Sequence, residues 1–172
     1  MKLVTTCAMI LIYVLPAAAL EYQAQESVRV KVPNSPVTMK RLVRVRAKKV
    51  RRESQSKDGQ AIQIFDFESR KSWLFVQNQT FLLKMDCKDE VAELLTSPLQ
   101  GRVVGNETIR GVLCEKRKNG NKLFWISAGI IRRLEVANDG AHPTLYDYES
   151  VDSNPQPLKL FEVPSGYREL KN

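Results

Sequence analysis

The sequence predicts a mostly β fold, a curved antiparallel sheet (half-barrel) with one short helical insert. Three observations point there. Apolar and polar residues alternate in short runs, VRVKV at 28–32, LVRVRAK at 42–48 and AIQIFDF at 61–67; period two is the mark of a strand whose faces differ. Turn signals recur between the runs, among them Asp58-Gly59, Asn119-Gly120 and Asn138-Asp139-Gly140. A single segment, KDEVAELL at 88–95, reads as a helix. Many short strands and a lone helix argue all-β or nearly so. Their spacing suits a sheet that curls on itself and shelters one apolar face.

The chain opens with a short basic region at Lys2, an apolar run at 8–15, and Pro16 followed by Ala17, Ala18 and Ala19. This is the layout of a secretory signal peptide. The run is short for a spanning helix, which needs about 20 residues. Residues 1–19 are therefore set aside as a signal peptide, with a signal anchor as the alternative. The mature chain is expected to be secreted and extracellular, not transmembrane. It is expected to form one domain, made of N-terminal basic strands at 20–60, a body at 61–167 and a tail at 168–172.

Residues 20–27 are a leader or the start of a first strand. The run at 28–32 is a strand, and Pro33-Asn34-Ser35-Pro36 is a turn. The stretch 37–50 follows as a strand, with Val43, Val45 and Ala47 on one face and Arg44, Arg46 and Lys48 on the other. Residues 51–60 are polar and end in a turn. In the strand at 61–67, Ile62, Ile64 and Asp66 share one face; Ala61, Gln63, Phe65 and Phe67 share the other. Residues 72–77 and 80–85 read as a hairpin around Asn78-Gln79. The helix at 88–95 has Asp86 as its candidate cap and acids near its start. A loop at 96–101 leads to ETIRGVLCEKR at 107–117, read as one strand, which turns through Asn119-Gly120 into the aromatic-rich strand KLFWI. Strands at 129–136 and 144–150, a linker at 151–157 and a closing strand at 158–164 complete the order.

Two cysteines, Cys87 and Cys114, remain once Cys7 leaves with the signal. In an oxidising compartment they have one intramolecular pairing, so a Cys87–Cys114 disulfide is expected. Two free buried thiols are the alternative.

The whole chain carries 27 basic and 19 acidic residues. The imbalance is concentrated at 28–57, where Lys and Arg far outnumber the one acid, Glu53. Arg44, Arg46, Lys48, Arg51 and Arg52 are the candidate anion-binding residues. For a secreted chain, acidic glycans, anionic lipid headgroups or mineral-associated polymers suit such a band better than nucleic acid does. A solvated, aggregation-resistant edge strand gives the same pattern.

The run GNETIRGVLCEKRKNGNKLFWI at 105–126 also carries a resemblance. Gly105, then Arg110-Gly111-Val112-Leu113-Cys114 and an aromatic-rich strand, resemble a pattern in animal secreted LolA-like domains, which include the ependymin-related proteins. The hairpin FDFESRKSWLFV, an earlier cysteine at Cys87 and the tail LFEVPSGY are similar to that family's features over residues 61–167. The sequence departs from it in having Lys116 and Arg117 where the family often has Trp, and Gly166-Tyr167 where it often has Cys. The resemblance implies a half-barrel with a helical lid, an apolar concavity, and ligand binding or an extracellular structural role without catalysis.

Catalytic signatures are missing from the sequence. His142 is the one histidine, beside a turn and before Pro143, which is a poor place for a general base. No metal-ligand spacing, Gly-rich phosphate loop or cofactor motif occurs. Asp86, Asp89 and Glu90 are better explained as an acidic helix start than as a calcium site. Among the aromatics, Phe65, Phe75 and Phe124, with Ile126, are the candidate lining of an apolar cavity; a packed core is the alternative. Asn78 and Asn106 head N-glycosylation sequons. The expectation is a non-enzymatic secreted protein that holds a lipid or other apolar small molecule. The alternative is a matrix or surface protein that adheres to acidic polymers through its basic strand.

Overall fold

The computed structural model describes residues 20–30, 37–97, 100–138 and 143–170. The expected signal segment, the turn at 33–36 and His142 lie outside the described residues.

Twelve strands form one sheet: β1 (Glu21–Val30), β2 (Val37–Arg46), β3 (Lys49–Ser56), β4 (Gly59–Asp66), β5 (Lys71–Val76), β6 (Phe81–Asp86), β7 (Arg102–Ile109), β8 (Val112–Asn119), β9 (Lys122–Ser127), β10 (Ile130–Val136), β11 (Thr144–Asp152) and β12 (Arg168–Leu170). Their spatial order is β12-β6-β5-β4-β3-β2-β1-β11-β10-β9-β8-β7. It is two meanders, β2 to β6 and β7 to β11, joined where β1 pairs with both β2 and β11. All neighbours run antiparallel except β12, which lies parallel to β6. One helix, α1 (Glu90–Thr96), and a 3₁₀ turn at Leu158–Phe161 complete the described elements. The curved, mostly β architecture with a short helical insert is the one expected.

Several boundaries differ from the sequence reading. The first strand starts at Glu21, in line with the second of the two readings of residues 20–27, because Tyr22, Ala24, Glu26 and Val28 continue one period-two face and are all buried. The stretch 37–50 breaks at Ala47-Lys48, where Ala47 takes a φ of 51°. The polar residues that follow form strand β3 and end in the turn before β4. The stretch 107–117 is a hairpin: Arg110 and Gly111 have φ of 51° and 79° and reverse the chain between β7 and β8, the backbone a two-residue turn requires. Residues 158–161 form the 3₁₀ turn in place of a closing strand, and part of the expected tail is β12. Helix α1 is capped by Asp89, whose side chain accepts from the Ala92 amide at 2.8 Å, not by Asp86.

Curvature follows from what the helix touches. Strands β3 and β9 stand five places apart in the sheet, which would be about 24 Å in a flat sheet at the usual strand spacing. Yet α1 and its cap reach both: Asp89 pairs with Arg52 on β3, and Glu90 with Lys122 on β9. A helix about 10 Å across bridges those strands only if the sheet wraps around it. The inner face thus encloses the main core, which includes Tyr22, Val43, Val45, Val50, Phe65, Phe124, Ile131 and Leu134 beneath Ala92, Leu94 and Leu95 of the helix.

The outer face carries two smaller clusters. Ile62, Ile64, Phe75 and Leu82 are covered by Val163 and Tyr167 from the C-terminal segment, with Trp73 beside them. Ile109, Cys114 and Trp125 form the other.

Candidate functional site

The inner face is not apolar throughout. Glu26 of β1 points the same way as Tyr22, Ala24 and Val28 and is wholly buried. The β1–β2 register sets Arg41 opposite it, and the β1–β11 register sets Tyr148 on its other side. Arg41 donates through Nε to Glu26, and the Tyr148 hydroxyl donates to Glu26 at 2.8 Å. Arg52, one strand further out, is 4% exposed. Its Nη1 donates to Asp89 at 2.6 Å and its Nη2 to Glu26 at 3.5 Å. A polar seam therefore crosses the inner face from β3 to β11 and is tied to the helix cap. Burial works against the Arg52 charge, but Glu26 and Asp89 outweigh it and hold its pKa above the usual value. Burial, reinforced by Glu26, pushes the Tyr22 and Tyr148 phenols far above theirs.

Beside the seam lies a hollow of about 290 Å³. Val28 and Val30 of β1, Met39 of β2, Val91 of α1 and Tyr146 of β11 supply apolar walls. Arg41, Arg52, Asp89 and Thr144 supply the polar side. Met39 is half exposed at 49%. The hollow thus divides almost evenly between apolar and polar walls, and convergent polar groups beside apolar ones are what fix a small molecule's orientation in a site.

The predicted lining lies elsewhere. Phe65, Phe124 and Ile126 do come together on the inner face, but they are buried in the core under α1 and do not line the hollow. Phe75 is on the opposite face: the β4–β5 register pairs it with Ile62, while Phe65 pairs with Ser72. Missing from the sequence reading were Glu26, its pairing with Arg41 and the hollow beside them. The available signal was Glu26 in phase with Val28 and Val30, a charge on an otherwise apolar face.

The predicted anion-binding residues are also divided. Arg44 and Arg51 oppose each other on the outer face, and both pair with Glu53. Arg46 pairs with Glu21 and donates to the Gln156 carbonyl, and Arg51 donates to the Leu160 carbonyl at 2.8 Å. Arg46 and Arg51 thereby fasten the C-terminal segment across the sheet. Lys48 sits in the β2–β3 turn and donates to Ser97 Oγ at 2.6 Å. Arg52 belongs to the inner face. The five do not form a common basic surface, because a strand's side chains alternate between faces and carboxylates and carbonyls of the chain itself engage the outer three.

The predicted disulfide is not formed. Cys87 and Cys114 are free thiols. Cys87 follows β6 and packs against the main core, while Cys114 belongs to the outer cluster with Ile109 and Trp125, so the sheet lies between their surroundings. Burial, with Asp89 and Glu93 adding to it, pushes the Cys87 thiol up to about 11. Asn78 is exposed in the β5–β6 turn; Asn106 is exposed on strand β7 rather than in a turn. Asp86 and Glu90 are engaged by Lys71 and Lys122. Among the described residues no group of three or more His, Cys, Asp or Glu is placed to hold a metal, and no helix is long and apolar enough to cross a membrane.

No family model and no curated protein sequence matches the chain. Among solved structures it is similar to an uncharacterised conserved protein from Thermus thermophilus. The two are 13% identical with a TM-score of 0.56, over 90% of this chain and 91% of that one. It is also similar to a LolA superfamily protein from Nitrosomonas europaea, at 13% identity and a TM-score of 0.48 over 87% and 92% of the two chains. A putative outer membrane lipoprotein-sorting protein domain from Vibrio parahaemolyticus aligns at 9% identity and a TM-score of 0.31, over 82% and 88%. The Thermus protein shares the fold, and at this identity the likeness speaks for the fold alone.

Proposed function

We propose that this chain is a secreted, non-enzymatic binding protein that holds a lipid-like or other apolar ligand in its half-barrel. The observation that carries the reading is the hollow on the inner face, with apolar walls from three strands and the helix, and with Met39 half exposed at its edge. The half-barrel with one short helix agrees with the architecture that the LolA-like resemblance implied. On this reading Asn78 and Asn106, both exposed, carry glycans on the secreted protein. The matrix-binding alternative is weakened by the pairing of Arg44, Arg46 and Arg51 with groups of the same chain.

The test is saturable binding of an apolar fluorescent probe such as ANS to the folded protein. Met39→Asp puts a charge into the wall at a half-exposed position, so the fold should survive it and probe affinity should drop about tenfold or more, an unpaired charge in an apolar site being strongly disfavoured. If the wild type binds no probe, the carrier reading fails. Retention on heparin that is lost in an Arg44→Glu, Arg46→Glu variant would bring the matrix reading forward.

A further inference from the structure

On the polar side of the hollow, one guanidinium donor has no acceptor among the described residues. A guanidinium carries five N–H groups, and Arg41 and Arg52 share this side. Their acceptors are Glu26 and Asp89. Glu26 already takes Arg41, Arg52 and the Tyr148 hydroxyl. Asp89 takes Arg52 and the Ala92 amide. Among the described residues, Nε of Arg52 is buried without a partner, and so is Nε of Arg132 on β10. Buried donors left unpaired in a native fold call for an explanation, and Arg52 is one of the residues that line the hollow.

We propose that the hollow takes a single-chain amphipath with a carboxylate head, the alkyl chain lying against Val28, Val30, Met39 and Tyr146 and the head accepting from Arg41 and Arg52. This rests on the carrier reading above and names the class of its ligand. A carboxylate is the group these guanidinium ions already pair with in Glu26 and Asp89, and its planar pair of oxygens matches the guanidinium fork. The volume argues for one chain: about 290 Å³ lies at the bottom of the usual range for small-molecule sites.

The experiment compares laurate with 1-dodecanol, which has the same chain and no charge, as competitors for a bound apolar fluorophore on the delipidated full chain. Laurate should displace it at a concentration at least about tenfold lower, the difference expected for a charge-assisted hydrogen bond in a sheltered site. Arg41→Gln should bring laurate to within about threefold of dodecanol, since the variant removes a charge that the carboxylate head accepts from. Equal affinity of the wild type for the two overturns the carboxylate assignment and leaves the carrier reading standing. A preference that survives in Arg41→Gln overturns the role of Arg41. Binding of neither compound removes the carrier reading itself. The wild-type comparison needs no variant, so the assignment stays open to disproof even if Arg41→Gln fails to fold.

Discussion

Glu26 is buried among apolar side chains and accepts from Arg41, Arg52 and Tyr148, so each partner has a different consequence when removed. Tyr148→Phe takes away one hydrogen bond to a charged acceptor and should cost roughly 1.5–3 kcal/mol. Arg52→Met leaves both Glu26 and Asp89 short of a counter-charge and should cost roughly 3–5 kcal/mol. Urea denaturation of the two variants, read as midpoint shifts at constant slope, gives both values and their order. Asp147 supplies the pH dependence. Burial alone would raise its pKa, but hydrogen bonds from Arg133 and Arg29 outweigh it and hold the carboxyl below the usual range. A folded pKa below the unfolded one stabilises the fold above the unfolded value of about 3.9, and that stability is lost as pH falls through the folded value. Asp147→Asn should therefore lower stability near neutrality and flatten its decline below about pH 4, seen by thermal melts across pH. Residue faces were legible wherever alternation was strict: Val43 and Val45 point inward as expected, and Phe65 opposes Ile64 in direction. Phase between strands was not legible. Whether Phe75 shares a face with Phe65 depends on the register across the Glu68–Arg70 turn, and a one-residue slip exchanges the faces.

At the scale of elements, the C-terminal segment is a strap. Gln156 is fastened to Glu21 and Arg46, Leu160 to Arg51, and Tyr167 donates to the backbone of Val76 and Gln77. Between these ties Phe161 is 3% exposed. Phe161→Ala removes the strap's main anchor and should destabilise by roughly 3–5 kcal/mol. Hydrogen exchange should show the loss of protection on β5 and β6 beneath the strap before it reaches β1. The strap was read as a closing strand from the run LKLFEVP and the tail LFEVPSGY, which resembles a family's closing strand. That pattern cannot distinguish a paired strand from a segment that lies across a sheet and bonds to side chains. Basic residues at 44–52 misled for a related reason: charge along a sequence does not reveal the acceptors that distant residues bring. The Arg110-Gly111 turn was hidden inside an apparent strand because Arg is not a turn former; Gly111 alone marked it.

For the molecule as a whole, one curved sheet separates two environments. Its inside combines a packed core with a polar seam and a hollow. Its outside is covered in part by the strap. The fold class was legible from the number of short alternating runs and the single helix, since few architectures shelter such a set. The hollow was not, because its walls come from residues far apart in sequence that only the β1–β2 and β1–β11 registers bring together.

The central position of β1 has a consequence for how the chain comes into being. Protein synthesis runs from β1 toward β12, so the middle of the sheet is made first and completed almost last. As β2 to β6 emerge, each can pair with the strand just before it, and β8 to β11 can do the same. One edge of β1, however, must wait for residues 144–152. Throughout that interval Glu26 has no Tyr148, and a row of backbone donors and acceptors faces outward with nothing of its own chain to meet. Joining two finished meanders along that seam is a single late event with a large loop to close, the kind of step that is slow and exposed to mispairing with another chain. The protein is thus most vulnerable along its own centre line while it is being made, although in the finished fold that line is among its most deeply buried parts.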